Sequence, residues 1–204
     1  PLTDPVKDGY DFMGWVDGSN NAFTSTTPVT GNITVYPDFD PIDYDITYNG
    51  LGSATNPAGN PATYTIEDGD ITLADPTNIP SGYEFNGWYK DAGLTEPIST
   101  IASGSTGDLD LYADIDLIIY DITYNLDGGT NSTNNPDTFN VDDLTITFED
   151  PTKTGYSFDG WFDASTGGNE VTSITTAGDV TVYAQWTINE YTLSFDLNYD
   201  GVIN

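Results

Sequence analysis

The sequence predicts a mainly β chain, α+β at most, built as a tandem array of small modules. Two observations carry this. Seven nearly identical letters recur at a fixed interval of 73 residues: GYDFMGW at Gly9–Trp15, GYEFNGW at Gly82–Trp88 and GYSFDGW at Gly155–Trp161. A second signature keeps step with it, YDITYN from Tyr44, YDITYN from Tyr120 and the looser YTLSFD from Tyr191, at intervals of 76 and 71 residues. Such self-similarity marks a repeat array rather than one large domain. The unit boundaries follow: a back half at 1–43, complete repeats at 44–119 and 120–190, and the front strand of a further repeat at 191–204.

The 120–190 repeat shows the plan in order. Tyr120, Ile122 and Tyr124 alternate with Asp121 and Thr123, the period of a half-buried strand. Asp127-Gly128-Gly129 breaks the run, and a loop follows from Asn131 to Pro136. Leu144, Ile146 and Phe148 form a second alternating run, stopped at Asp150-Pro151 because proline cannot continue a central strand. Tyr156 and Phe158 open a third, and Gly160 before Trp161 breaks its period, which predicts a β-bulge. After a polar loop, Val180, Val182, Ala184 and Trp186 form the last strand.

The 44–119 repeat follows suit with Tyr44/Ile46/Tyr48, Ile71/Leu73, Tyr83/Phe85/Trp88 and Leu109/Leu111/Ala113/Ile115. The first unit has only Tyr10/Phe12/Trp15 and Ile33/Val35/Pro37/Phe39, and the last only Tyr191/Leu193/Phe195. No window keeps helical spacing, so any helix is a turn or two. The connectors (40–43, 116–119, 187–190) are too brief for flexible tethers, which predicts a rod.

Units of about 70 residues lie near the lower size for an independent core. Aromatics at 13% of the chain compensate, because each buried ring removes a large apolar area from water. Thirty-three acids against three lysines and no arginine give a net charge of −30. Nucleic acid is thereby excluded as a partner, since phosphate binding needs a basic surface, and anionic lipid is disfavoured. The acids either solvate the surface or hold Ca2+. The absence of Cys and His removes thiolate and imidazole nucleophiles, most zinc sites and any disulfide. No stretch of 18 apolar residues is present, so no membrane-spanning helix is predicted.

The order GY-x-F-x-GW, polar loop, TVYAQW or LYADI, then YDITYN with LDGG resembles the Listeria–Bacteroides repeat, the internalin B-repeat. The most specific piece is Gly155–Trp161 followed by Thr181–Trp186. The resemblance implies a compact β-grasp-like module in secreted or surface-attached bacterial proteins, where it occurs in stalks and adhesins. The chain departs from the pattern in the opening turns, with FDLNYDG near its end and Asn49-Gly50-Leu51-Gly52 in the first full repeat. It also lacks the lysines common in such repeats, so no basic-surface binding carries over.

The aromatic signature has two readings. Exposed Trp and Tyr stack on sugar faces, but alternation on strands places Trp15, Trp88 and Trp161 in a core, and a small unit needs them there. Tyr36, Tyr112 and Tyr183 fall on the other strand face and are the better candidates for contact with a partner. The run Asp196, Asn198, Asp200, Gly201 matches the opening of a calcium loop, with ligands at alternate positions and glycine at the turn. The competing reading, supported by Tyr191/Leu193/Phe195, is the first turn of the next repeat with an insertion. Ca2+ is the only cofactor the sequence suggests. No catalytic motif appears, and no acid recurs in an apolar setting that would tune it. Lys7 and Lys153 sit at equivalent places (DPVKDGY, DPTKTGY) and read as exposed, solvating residues, since an isopeptide role fails where the middle repeat has Asn78. Asn32-Ile-Thr34 and Asn131-Ser-Thr133 fit the N-glycosylation acceptor, as two short matches in an Asn- and Thr-rich chain will.

These features make the region a non-catalytic spacer, stalk or building block of an extracellular structure, partnered by neighbouring repeats. A ligand-binding module would use the loops 20–27, 92–96 and 164–169, which differ between units. A filament subunit would pair its strand 191–195 with the open first unit of another copy.

Overall fold

A computed structural model describes residues 3–195. The chain divides into two compact units, one up to Asp116 and one from Leu117. In the first, the half repeat contains β1 (Tyr10–Asp17), β2 (Ala22–Phe23) and β3 (Val35–Pro41). The complete repeat contains β4 (Tyr44–Asn49), β5 (Thr63–Tyr64), β6 (Ile71–Thr72), β7 (Tyr83–Tyr89), β8 (Pro97–Ile98), β9 (Thr100–Ile101) and β10 (Leu109–Leu117). The second unit contains β11 (Tyr120–Asn125), β12 (Thr138–Phe139), a 3-10 turn at Val141–Asp143, β13 (Ile146–Thr147), β14 (Tyr156–Phe162), β15 (Ser173–Ile174) and β16 (Val180–Ile188). The protein is mainly β, with one helical turn among the described residues.

Each complete repeat places its first and last long strands side by side and parallel. The order is β5-β4-β10-β7-β8 in one and β12-β11-β16-β14 in the other, in keeping with the β-grasp-like module that the resemblance implied. The parallel register runs from Ile46↔Leu109 to Asn49↔Tyr112, and from Ile122↔Val180 to Asn125↔Tyr183. The aromatic signature strand then lies antiparallel to the last strand, as in β14/β16.

The glycine before the signature tryptophan produces the predicted bulge. Register shifts between Phe12 and Gly14 in β1/β3, and between Phe158 and Gly160 in β14/β16. Gly14 and Gly160 take φ of 138° and 143°, a conformation side chains rarely adopt, so the tryptophan is re-aimed without cost to a Cβ.

One expectation needs correction. The runs Leu144/Ile146/Phe148 and Ile71/Leu73 are not strands of the main sheets. Only Ile146–Thr147 and Ile71–Thr72 are extended, and they pair as two-residue ladders with β15 and β9. These ladders lie over the core face of each main sheet. Ile71, Leu73 and Ile101 close the first core with Ile46, Tyr64, Trp88 and Leu111. Ile146 and Ile174 pack beside Ile122 and Phe139 in the second. Alternation reports burial on one side, and a lid segment satisfies it as well as a sheet strand does.

Tyr191, Leu193 and Phe195 carry a strand pattern but form no strand. They are 81%, 76% and 78% exposed. An extended segment needs a neighbour for its backbone groups, and none pairs with it among the described residues.

Candidate functional site

The recurring rings in the complete repeats are core. Trp88 and Trp161 are 3% and 4% exposed. Each packs edge-on against a tyrosine of the first strand, Tyr48 at 5.3 Å and Tyr124 at 5.2 Å between ring centroids. The phenylalanine three positions earlier, Phe85 or Phe158, closes the other side. Those tyrosine hydroxyls donate to Pro61 O and Pro136 O, both at 3.0 Å. Burial and the charge of Asp137 push the Tyr124 phenol up to about 12. Trp15 departs from this. It is half-buried, because the half repeat supplies no first-strand tyrosine, and its ring contact is Phe12 at 5.6 Å.

Each tryptophan is tied to a feature that the sequence reading missed, a buried asparagine. Asn60 donates from Nδ2 to Ala74 O (3.0 Å) and accepts from Ala74 N at Oδ1 (2.7 Å). Asn135 does the same with Glu149, at 2.9 and 2.7 Å. The amide thus copies the two bonds that a neighbouring strand would make. A second asparagine one turn earlier accepts the remaining donor, Asn56 at 2.8 Å and Asn131 at 2.7 Å. The tryptophan Nε1 donates to the same carbonyl, Ala74 O at 3.0 Å or Glu149 O at 3.4 Å. The pattern Asn-x-x-x-Asn-Pro at Asn56–Pro61 and Asn131–Pro136 was available as its signal. No buried side-chain polar atom among the described residues lacks a partner.

Lys153 is not the solvating residue its sequence suggests. Its ammonium donates to Asp127 O (2.6 Å) and pairs with Asp127 Oδ2 (3.0 Å). It lies 4.4 Å from the Tyr156 ring centroid and 5.6 Å from that of Trp186, so its stem is covered by aromatic surface. Lys7 stands over Tyr10 at 3.3 Å and near Phe39 at 5.6 Å. Lys7 is exposed, as its sequence suggests, and shares with Lys153 only the contact to the signature tyrosine.

The loops after the tryptophan are closed by an aspartate. Asp17 accepts from the backbone of Ser19 and Asn21, Asp91 from Thr95 and Glu96, and Asp163 from Asn169. Backbone amides hold Asp17 and Asp91 below the usual carboxylate range, and for Asp163 the Asn169 side chain contributes most. These are turn-forming carboxylates with their lone pairs engaged, not a shared ligand site. Glu149 is held low too, by Ser132 and Asn134.

The three tyrosines of the other face diverge. Tyr36 is 52% exposed, while Tyr112 and Tyr183 are half-buried. Tyr183 lines a shallow hollow with Asn125, Asp127, Ser165 and Thr166. Gln185 fixes its rim by donating to Ala164 O (3.0 Å) and Gly167 O (2.6 Å). Among the described residues no group of three or more metal-ligating side chains converges. The calcium candidates Asp196, Asn198 and Asp200 lie outside the described residues. No helix among the described residues is long and apolar enough to cross a membrane.

Comparison with known proteins agrees with this architecture. The chain matches the Listeria-Bacteroides repeat domain three times, at residues 1–37, 44–114 and 120–185. It is 29% identical over 205 aligned residues to a protein of Evansella cellulosilytica described as a Gly-rich membrane protein, covering 95% of this chain and 22% of that one. It is 29% identical over 184 residues to internalin H of Listeria monocytogenes, covering 84% of this chain and 31% of internalin H. The chain thus spans less than a third of the length of either relative. No solved structure matches it. With the signature matched along most of its length and its rings forming the same core in both complete repeats, this chain belongs to the Listeria-Bacteroides repeat family.

Proposed function

We propose that this chain is a non-catalytic repeat region of a secreted or surface-attached bacterial protein, acting as a spacer or stalk that carries other parts of that protein. One observation carries the reading. The residues that recur are consumed internally: tryptophan, tyrosine and asparagine satisfy one another in each complete repeat. The loops that face outward, 20–27, 92–96 and 164–169, differ in length and sequence. Selection on a shared fold with free loops fits a scaffold, whereas a ligand site repeated along the chain would keep its loops. The relatives described as a membrane protein and as internalin H support a place at the cell surface.

The test is an exchange in the parent protein. Replacing residues 120–190 by a second copy of 44–119 should leave surface display and overall activity unchanged. Loss of activity with display retained would show that the repeat carries a specific site.

A second reading rests on the hollow beside Tyr183. A half-buried ring flanked by Asn125, Asp127, Ser165 and Thr166 offers a stacking face and hydroxyl partners to a neutral sugar. Binding on a glycan array that Tyr183→Ala abolishes would favour it over the scaffold.

A further inference from the structure

We propose that each complete repeat is a shear clamp, built to bear tension along the chain. The reasoning starts from topology. The chain enters a repeat at the first residue of one strand and leaves at the last residue of its parallel neighbour: in at Tyr44 and out at Leu117, or in at Tyr120 and out at Ile188. The two strands are hydrogen-bonded to each other, Ile46–Asn49 against Leu109–Tyr112 and Ile122–Asn125 against Val180–Tyr183. Tension drags the first strand backward and the second forward along their common axis. The ladder bonds then lie across the line of slippage and share the load at once. A strand pair opened from one end breaks its bonds one by one, although each bond is the same chemically.

Three details reinforce the pair where force enters. Both loaded strands are interior to their sheets, flanked by β5 and β7 in one repeat and by β12 and β14 in the other. Asp108 Oδ1 accepts from Asp45 N at 2.9 Å, and Asp179 Oδ1 accepts from Asp121 N at 3.0 Å. These carboxylates stand just ahead of β10 and β16 and tie down the first strand beyond the ladder. The ladder also covers the core: Leu111 and Val182, level with Tyr48 and Tyr124, are fully buried, so slippage must drag them out of their packing in a closed interior. Among the described residues the half repeat forms β2-β1-β3 and has no such pair.

This inference takes its biological use from the stalk reading, but its physical content is independent of it. The chain has no native cysteine, so attachment points can be chosen freely. In the full chain, Ile119→Cys with Glu190→Cys applies force at opposite ends of β11 and β16. Ile119→Cys with Thr176→Cys pulls on the same end of both. All three positions are exposed. Unfolding is read by optical tweezers at one loading rate, where rupture follows the unfolding barrier. We expect the first geometry to rupture at no less than twice the force of the second, releasing roughly 250 Å of chain at about 3.6 Å per residue. Equal or lower force in the first geometry would overturn the clamp. It would leave the stalk reading standing, because that reading is decided by the repeat exchange on cells.

Discussion

The half repeat and the complete repeat that follows it are made from the same signature, yet they bury it differently. Both form an antiparallel pair that includes the signature strand, and both bend their glycine past φ 130°. In one, Trp88 meets Tyr48 and donates to Ala74 O, and its exposure falls to 3%. In the other, Trp15 has Phe12 beside it and stays half-buried. The half repeat is steadied from outside: Gly9, at φ 76°, lies against Ile66, and the Tyr10 hydroxyl donates to Glu67 at 2.9 Å. The signature therefore specifies a bulged hairpin locally, while the buried core needs the first strand and the asparagine loop.

Substitution can sharpen that contrast. The largest effect is expected at the tryptophans. Trp161→Ala should cost about 3–5 kcal/mol in denaturant unfolding of the second unit. Trp15→Ala should cost roughly 1 kcal/mol, as befits a partly exposed ring. Comparable costs would show that the half repeat has a core of its own.

Next comes the asparagine. Asn135→Ala leaves the Glu149 amide without its partner and takes away one of the two donors to the Glu149 carbonyl, and should cost about 1–3 kcal/mol. Hydrogen exchange at the Glu149 amide should speed up in that variant. An unchanged rate would mean that water replaces the side chain.

The bulge is a finer probe. A methyl at Gly160 meets Glu170 and Phe162 at 3.3 Å, whereas one at Gly14 meets nothing within 4 Å. Both backbones are strained for alanine, at about 1–2 kcal/mol. Gly160→Ala should exceed Gly14→Ala by the added crowding, measured by thermal melts.

The smallest effect is on acid. Asp17 and Asp163 titrate below the ordinary 3.8 in the folded chain. Their contribution is therefore complete above that pH and is lost as pH falls through the lower folded values. Faster exchange of the Asn21 and Asn169 amides below pH 3.8, with the sheets intact, is the expected sign. At the alkaline end the Tyr124 phenol titrates at about 12 against an ordinary 10.0. Stability should fall between those values, because the unfolded chain loses that proton first.

Much of this was legible in the residues. Gly160-Trp161 announced its bulge, and the alternation of Tyr120, Ile122 and Tyr124 gave a correct strand with a correct inner face. The interior place of Trp88 and Trp161 followed from unit size. The asparagine knot was not read, because Asn56–Pro61 and Asn131–Pro136 have the composition of ordinary loops. A loop that folds its amides inward looks, as a string, like one that turns them to water. Lys153 misled for a similar reason: its neighbours Tyr156 and Trp186 are brought together only by the β14/β16 pairing. The runs at Ile71 and Ile146 were correctly apolar on one side, but only two residues of each are extended, in ladders with β9 and β15.

The doubly bonded asparagine has one more implication. Small domains outside cells are often held by covalent sulfur bridges. Here an amide, a carbonyl and an indole fasten the loop to the lid with no oxidant required. Such a fastening contains no covalent bond, so no thiol in the medium can reduce it and no wrong disulfide can replace it.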